Sequence, residues 1–445
     1  MKFSLLTLAV VSALAAASPK ALKVGFNQHI NHLKASPNPN GLANPGKAPT
    51  NPQAVLNNKV VEYVVNITLG TPAQPFSVQI DTGSSDLWIK ADGSHGDFNA
   101  SHSSTFQEYK KGQFYIQYGD FTTAEGDWVK DTIDVAGASI PEFVFAAATK
   151  TDTDAVFGIG YPANEAANLP LEKGTRFEYD NFPIRLAKSG FINTPAYSLY
   201  LDSLDAKAGS LLFGAVDTSK FEGGLALLPF IKDSPSDAAP KQFQVTLDSV
   251  DFGDSNALNV PRTALLDAGT TLTLLPTTTY WTLVRALGLY STWDGVVASQ
   301  SQLDHWKATG AVITYTFQGK QIHVPLAQLF QPDLNEHNNQ QYVTTPSGQE
   351  PAYVFLAGDS NSDKGQAILG DSFLRYAYVA YDLQNHQVAL GQAKYDGGAE
   401  NIEAISAGGV PSATKAPSAA TWTADAPFQT SVPYPTTTWP VGPKH

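Results

Sequence analysis

The chain has 445 residues, 42% apolar and 16% charged, a globular composition with room for two domains or one bilobed unit. It has no cysteine and its one methionine is Met1, which excludes disulfides, thiolate nucleophiles and cysteine-held zinc, haem or iron–sulfur groups. A net charge of −13 repels phosphate backbones, so no nucleic-acid partner is expected.

Lys2, the apolar run Phe3 to Leu14 and the small residues Ala15 to Ala17 have the three regions of a secretory signal, read as residues 1–17. The run is too short for a membrane-spanning helix, so a secreted, extracellular product is expected, with a vacuole-like compartment as the alternative. Residues 18–58 follow as a removable leader. Up to Asn58 the chain has five lysines and no acid, leaving 23 basic against 41 acidic residues in the body, so leader and body attract. The leader's second half, rich in Pro, Asn and Gly, reads as a flexible joint. Beyond it, alternating β-branched and aromatic segments predict strands at 62–69, 76–80, 113–118, 198–213, 242–250 and 378–390. One helix is expected after Pro276, where Tyr280, Leu283, Val284 and Leu287 share a face and Thr277 or Thr278 can cap the start; a short one is expected over 183–189, stopped by Gly190. Residues 397–445, rich in Ala, Pro, Ser and Thr, read as a tail unable to bury a core. Its end in VGPKH, without a terminal apolar stretch, argues against a GPI signal.

The body contains a repeat. Ile80-Asp81-Thr82-Gly83-Ser84-Ser85 returns 186 positions later as Leu266-Asp267-Ala268-Gly269-Thr270-Thr271, and each copy is followed by an apolar–apolar–Gly echo, Val156-Phe157-Gly158 and Ile368-Leu369-Gly370. One Asp–Gly pair is ordinarily just a turn. Two copies, each ending an apolar strand, imply two related lobes that bring paired carboxylates together, where one proton is shared because both cannot readily ionise at close range. The ionised member could activate a water and the protonated one could donate to a carbonyl oxygen.

On these motifs the chain resembles the pepsin-type aspartic endopeptidases, in particular the secreted fungal branch. DTGSSDLWI and LLDAGTTLTLLP match the two active-site motifs, VFGIGYP and AILGDSFLR the two echoes, and VVNITLGTPAQPFSVQIDTG the opening strands. The resemblance implies a mainly β, bilobed pepsin-like fold, two related β-barrel-like lobes (59–228 and 229–396) with the active-site cleft between them. It implies Asp81 and Asp267 as the catalytic pair acting through water, with no covalent intermediate, cofactor or metal. By position it makes Gly83, Gly269, Thr270 and Thr271 substrate-binding, with Thr82 and Ser84 supporting the pair. FYIQYGDFTTAEGDW resembles the flap hairpin, with Tyr118, Gly119 and Asp120 at its tip and Tyr118 bonded to the indole of Trp88. Val156 corresponds to a wall residue of the same pocket. Bulky apolar residues are expected at the cut, with Lys accepted through Asp120; for Asp120 a plain turn role is the other reading.

The resemblance also implies a zymogen active at acid pH, with Lys34 or Lys23 reaching the pair and a mature start between Ala54 and Lys59. A monomer acting on protein or peptide substrates, inhibited by pepstatin-type compounds, is expected. Three features depart from the pattern: Ala268 stands where a Thr or Ser braces the loops, Phe121 and Thr122 stand where the flap has Gly and Ser, and the usual disulfides are missing. Sequons at Asn66 and Asn99 mark glycosylation sites, Asn66 within an apparent strand. A relative that binds peptides without cutting them remains the competing class, favoured only by Ala268. Paired carboxylates also serve glycosidases, but the flap has no counterpart there. No serine-hydrolase elbow or HExxH motif occurs, and His95 and His102 read as loop surface.

Overall fold

The computed structural model describes residues 20–30 and 61–418 apart from short internal stretches, the longest being 169–175 and 361–365. The signal segment, Lys34, His95, the expected mature start and the tail beyond 418 lie outside the described residues.

Strand Gln74–Asp81 buries its second half on both faces, the apolar Val78 and Ile80 on one and Gln79 and Asp81 on the other. It pairs antiparallel with Val61–Leu69 and, at its carboxyl end, parallel with Val156–Gly158, matching Asp81 to Gly158. Leu87–Lys90 closes the other side of that echo strand. The second half repeats the construction: Arg262–Leu266 runs parallel to Ala367–Leu369, with Leu266 opposite Leu369, and Thr273–Leu275 returns antiparallel to it. The echoes therefore hold the Asp loops, and their glycines are required. A Cβ on Gly158 would lie 2.5 Å from the Asp86 nitrogen, and one on Gly370 would lie 2.1 Å from the Thr270 oxygen.

The halves are joined by hydrogen bonding. Among the described residues a fourteen-stranded sheet runs from the first half, including Ala196–Tyr200 and Ala208–Phe213, into Ala377–Asp382, Gln387–Ala393 and Phe221–Pro229. One apolar core extends through both. The fold is mainly β, as expected, with three of the long apolar runs each resolving into two strands: 196–200 and 208–213, 244–247 and 249–252, 377–382 and 387–393.

Helix Thr277–Ala286 and helix Phe182–Lys188 lie where their patterns place them, the second followed by Gly190 at φ 76°. The expected threonine cap is absent. Pro276 occupies the cap position without a side-chain bond, and the Thr277 hydroxyl donates instead to Asp359 Oδ1 at 2.6 Å. A third helix, Gln300–Thr309, starts with a Ser299–Gln302 capping box and buries Leu303 and Trp306; its Ser-x-x-Gln signal was readable in the sequence.

Two segments differ more deeply from expectation. Leader residues Leu22–Ile30 form a central strand, paired with Ala208–Phe213 on one side and Val61–Leu69 on the other. Val24 and Phe26 face inward at 3% and 1% exposure, each worth about 1.5–3 kcal/mol of burial, while Lys23 faces outward. Gly209 makes room for Phe26, since a Cβ there would fall 2.2 Å from the ring. The early part of the tail is also folded. Ile402–Ala404 pairs with Ala215–Asp217, and Ala413–Lys415 adds a parallel edge strand to Phe221–Pro229. Ile405 and Val410 are buried against Tyr200, Tyr378 and Ala389, so tail residues 398–418 bury apolar surface that their composition had argued against.

Candidate active site

Both Asp loops emerge where an apolar strand stops and a glycine lets the chain turn, which leaves the carboxyls buried but facing each other. Asp81 and Asp267 are 6% and 8% exposed. Asp81 Oδ1 accepts from the Gly83 N–H at 2.7 Å and Oδ2 from the Ser84 hydroxyl at 2.5 Å. Asp267 is held in the same way, Oδ1 by the Gly269 N–H at 2.8 Å and Oδ2 by the Thr270 hydroxyl at 2.7 Å. Each glycine lies against the opposite carboxyl. A Cβ on Gly83 would be 2.6 Å from Asp267 Oδ1, and one on Gly269 would be 2.4 Å from Asp81 Oδ1. Any side chain at either position would fill the space between the acids. Burial, followed by the Asp267 charge, holds the Asp81 carboxyl well above the ordinary carboxylate range.

The loops are braced from below. Thr82 Oγ1 donates to the Leu266 carbonyl and accepts from the Ala268 N–H, both at 2.9 Å. Ala268 offers no hydroxyl for the reciprocal pair, so the brace has one arm. Two further contacts add to it: Gln79 Nε2 donates to the Gly269 carbonyl at 3.2 Å, and Asn164 Nδ2 donates to the Gly83 carbonyl at 3.1 Å. Neither Gln79 nor Asn164 was singled out in the sequence; Gln79 lies within the opening-strand motif and Asn164 two residues beyond VFGIGYP, and the role of each shows only in its contact. Thr271, 8% exposed, bonds through its carbonyl to the Ser372 N–H and so ties the second Asp loop to its echo.

Above the pair stands the hairpin of Gln107–Gln117 and Thr123–Val135. The Tyr118 hydroxyl accepts from the Trp88 indole N–H at 2.7 Å, as the motif implied. Gly119, Asp120, Phe121 and Thr122 form the tip. Asp120 Oδ1 accepts from both the N–H and the hydroxyl of Thr122, at 3.0 and 2.7 Å, so that oxygen closes the turn. Val156, expected as a wall residue of the pocket, is 5% exposed and belongs to the apolar cluster of Trp88, Phe114 and Ala124 behind the hairpin. Lys23, one of two lysines expected at the carboxyl pair, instead forms an ion pair with Glu400 on the outer side of the leader strand. Strand alternation explains this, because burying Val24 and Phe26 turns Lys23 outward. Asn66 and Asn99 are both exposed, Asn66 bonded to the Ser77 hydroxyl and Asn99 capping a short turn through Ser101. His102 is exposed beside Asn99. Among the described residues, no three His, Asp or Glu side chains cluster around a possible metal position.

The profile of the family described as eukaryotic aspartyl protease matches residues 62–393. The acid protease of Saccharomycopsis fibuligera is 37% identical over 76% of this chain and 83% of its own length. Secreted aspartic protease 1 of Candida albicans is 34% identical over 89% of this chain and 97% of its own length. The aspartic proteinase yapsin-3 of Saccharomyces cerevisiae is 36% identical over 82% and 72% of the two lengths. Among solved structures, the aspartic proteinase from Irpex lacteus superposes with a TM-score of 0.62, covering 76% of this chain and 96% of that one at 23% identity, a likeness of fold. With a profile match spanning both Asp loops, both echoes and the flap, the chain belongs to the eukaryotic aspartyl protease family and is an aspartic-type endopeptidase with the pepsin-like fold.

Proposed function

We propose that Asp81 and Asp267 are the catalytic pair of a secreted endopeptidase that works at acid pH. The observation that carries this is the symmetric holding of two buried carboxyls, each by a glycine N–H and a hydroxyl of its own loop. A water lodged between them loses a proton to the ionised carboxylate as its oxygen attacks the scissile carbonyl carbon, while the protonated carboxyl donates to the carbonyl oxygen. The tetrahedral species collapses when a proton reaches the leaving nitrogen. No bond to the enzyme forms. The pair must hold one proton, so activity falls as pH rises through its upper titration and falls again in strong acid when both members are protonated.

The finer reading rests on several supports. Tyr118 and Trp88 set the flap over Asp81, and the apolar cluster behind it favours bulky apolar residues at the cut. The lysine acceptance attributed to Asp120 has to come from its second oxygen, since the first is engaged with Thr122. Thr271 and Gly119 complete the substrate-facing set. A zymogen is supported by the leader strand: cutting out residues 18–58 would remove a strand hydrogen-bonded on both sides, so activation has to reorganise the sheet. Secretion is supported by the signal pattern and by the name of the Candida albicans relative; exposure of Asn66 and Asn99 suits glycosylation. A monomer inhibited by pepstatin-type compounds completes the reading. Peptide binding without cleavage is less well supported, because the Ala268 N–H keeps its bond to Thr82 and the carboxyl pair is intact.

The test is hydrolysis of denatured haemoglobin from about pH 2.5 to 7, with and without pepstatin, for the wild type and Asp267→Asn. Acid activity that pepstatin blocks and the substitution lowers by ~10³-fold or more is expected. Peptide binding by processed protein that never turns over substrate would sink the catalytic reading.

A further inference from the structure

Phe121 is the flap residue that packing does not explain. Its φ is 68°, in the left-handed region where a bulky side chain is disfavoured. Among the described residues seven others without glycine's freedom share that conformation: Ala136, Glu142, Asp202, Gln318, Asn338, His386 and Ser412. Those are small, polar or charged. Phe121 alone is a large apolar residue, and it is 49% exposed, so burial does not offset the conformation.

The turn imposes that backbone. Tyr118 N–H donates to the Thr122 carbonyl at 2.9 Å, Phe121 N–H donates to the Tyr118 carbonyl at 3.0 Å, and Asp120 Oδ1 takes the N–H and hydroxyl of Thr122. Four hydrogen bonds thus fix a position at which glycine would be relaxed, yet the chain carries a benzyl group there. Strain kept at an exposed site points to use rather than to stability. The location suggests the use. Tyr118 in the same turn is held by Trp88, and its hydroxyl lies within electrostatic reach of Asp81. A Cβ on Gly119 would meet nothing within 4 Å, so the tip borders open space.

We propose that Phe121 is a specificity-determining residue, whose ring covers an apolar side chain of the bound peptide next to the scissile bond. The proposal deepens the endopeptidase reading and rests on it for the placing of substrate under the flap. The left-handed backbone matters because it aims the ring from a fixed turn, so little freedom is lost when a peptide binds. The chemical class selected is a peptide with a bulky aliphatic or aromatic residue beneath the tip.

The experiment compares wild type, Phe121→Gly and Phe121→Leu on matched peptides in which each residue flanking the cut is in turn bulky apolar or alanine. Phe121→Gly should lower kcat/KM for one bulky-residue peptide by ~10-fold or more, through KM, and change its alanine counterpart by about twofold or less. Phe121→Leu should keep much of the preference. The thermal midpoint of Phe121→Gly should equal or exceed that of the wild type, which separates a lost contact from a damaged fold. Equal losses on all peptides, or an unchanged profile, would overturn the proposal. Binding of the same peptides is measured in an Asp267→Asn background, with and without Phe121→Gly. If Phe121 still discriminates there while the parent protein never cleaves, the endopeptidase reading fails and the specificity role stands; if discrimination is missing there while the parent cleaves, the reverse holds.

Discussion

Thr82 has one side-chain hydroxyl, which joins the two Asp loops by serving the Leu266 carbonyl and the Ala268 N–H together. Thr82→Ala leaves the buried Ala268 N–H unpaired, at roughly 1–3 kcal/mol, and leaves the Leu266 carbonyl with only the long 3.5 Å bond from the Tyr381 hydroxyl, so a clear fall in thermal midpoint with reduced activity is expected by calorimetry and peptide assay. Ala268→Thr should act oppositely: a second hydroxyl completes the brace and adds about 0.5–1.5 kcal/mol, read as a raised midpoint. A lowered midpoint would mean that the buried Ala268 site is too tight for the larger side chain. The meeting of the two aspartates was legible because duplication of the Asp–Gly loop implied two lobes that bring the copies together. The position of Lys23 was not, since it was inferred from a motif place while strand alternation decided where the side chain points.

At the scale of elements, the two ends of the chain carry the largest revision. The leader strand had a signal, the alternation of Leu22, Val24 and Phe26, but the basic and Pro-rich composition around it dominated the reading. The tail had less: Ile402, Ile405 and Val410 are isolated apolar residues among Ala, Gly and Ser, and they matter because the outer face of the shared sheet is left for them to cover. Asn401 and Glu400 anchor the start of this strap, Asn401 to Asp217 and Thr218, Glu400 to Lys23. Ile405→Ala is expected to cost ~2–5 kcal/mol, measured by denaturant unfolding. A chain ending at residue 397 should lose at least as much and expose the edge of Phe221–Pro229, whereas one ending at 418 should match the full-length protein. Equal stability for all three chains would show the strap to be dispensable.

For the whole molecule, stability rests on packing without disulfides, and pH acts on it through the buried carboxyls. Behind the flap, Glu165 is fully buried, and burial followed by the Asp86 charge pushes its pKa up to about 10. Glu178 and Asp180 add smaller repulsions, and the Tyr179 N–H partly opposes them. Asp86 is itself raised to about 6 by burial, despite bonds from the Tyr179 hydroxyl and the Ala166 N–H. Both folded pKa values exceed the unfolded ones. Their contribution is therefore fully present below about pH 4 and is lost as pH rises, through about 6 for Asp86 and towards 10 for Glu165. Glu165→Gln should be more stable than wild type at about pH 7.5 and nearly equal to it at about pH 3.5, as followed by thermal midpoints. A constant difference across that range would show that Glu165 does not titrate with unfolding.

By itself the sequence determined the local chemistry: strands that stop at Asp–Gly, the doubling of that loop, the hydroxyl three residues on, and the tyrosine–tryptophan pair of the flap. The first three are set by neighbours within a few residues or by repetition of the same pattern, and the tyrosine–tryptophan pair by resemblance to the flap motif, so none needs knowledge of what lies across the fold. Tertiary structure decided what depends on surfaces brought together from afar: the glycine of one lobe against the carboxyl of the other, the single-armed brace at Thr82, and the insertion of leader and tail into one sheet. Strand edges and apolar faces carry no label in the chain. Which segment satisfies them is settled by whichever available stretch can pair its backbone and bury its side chains at the lowest total free energy.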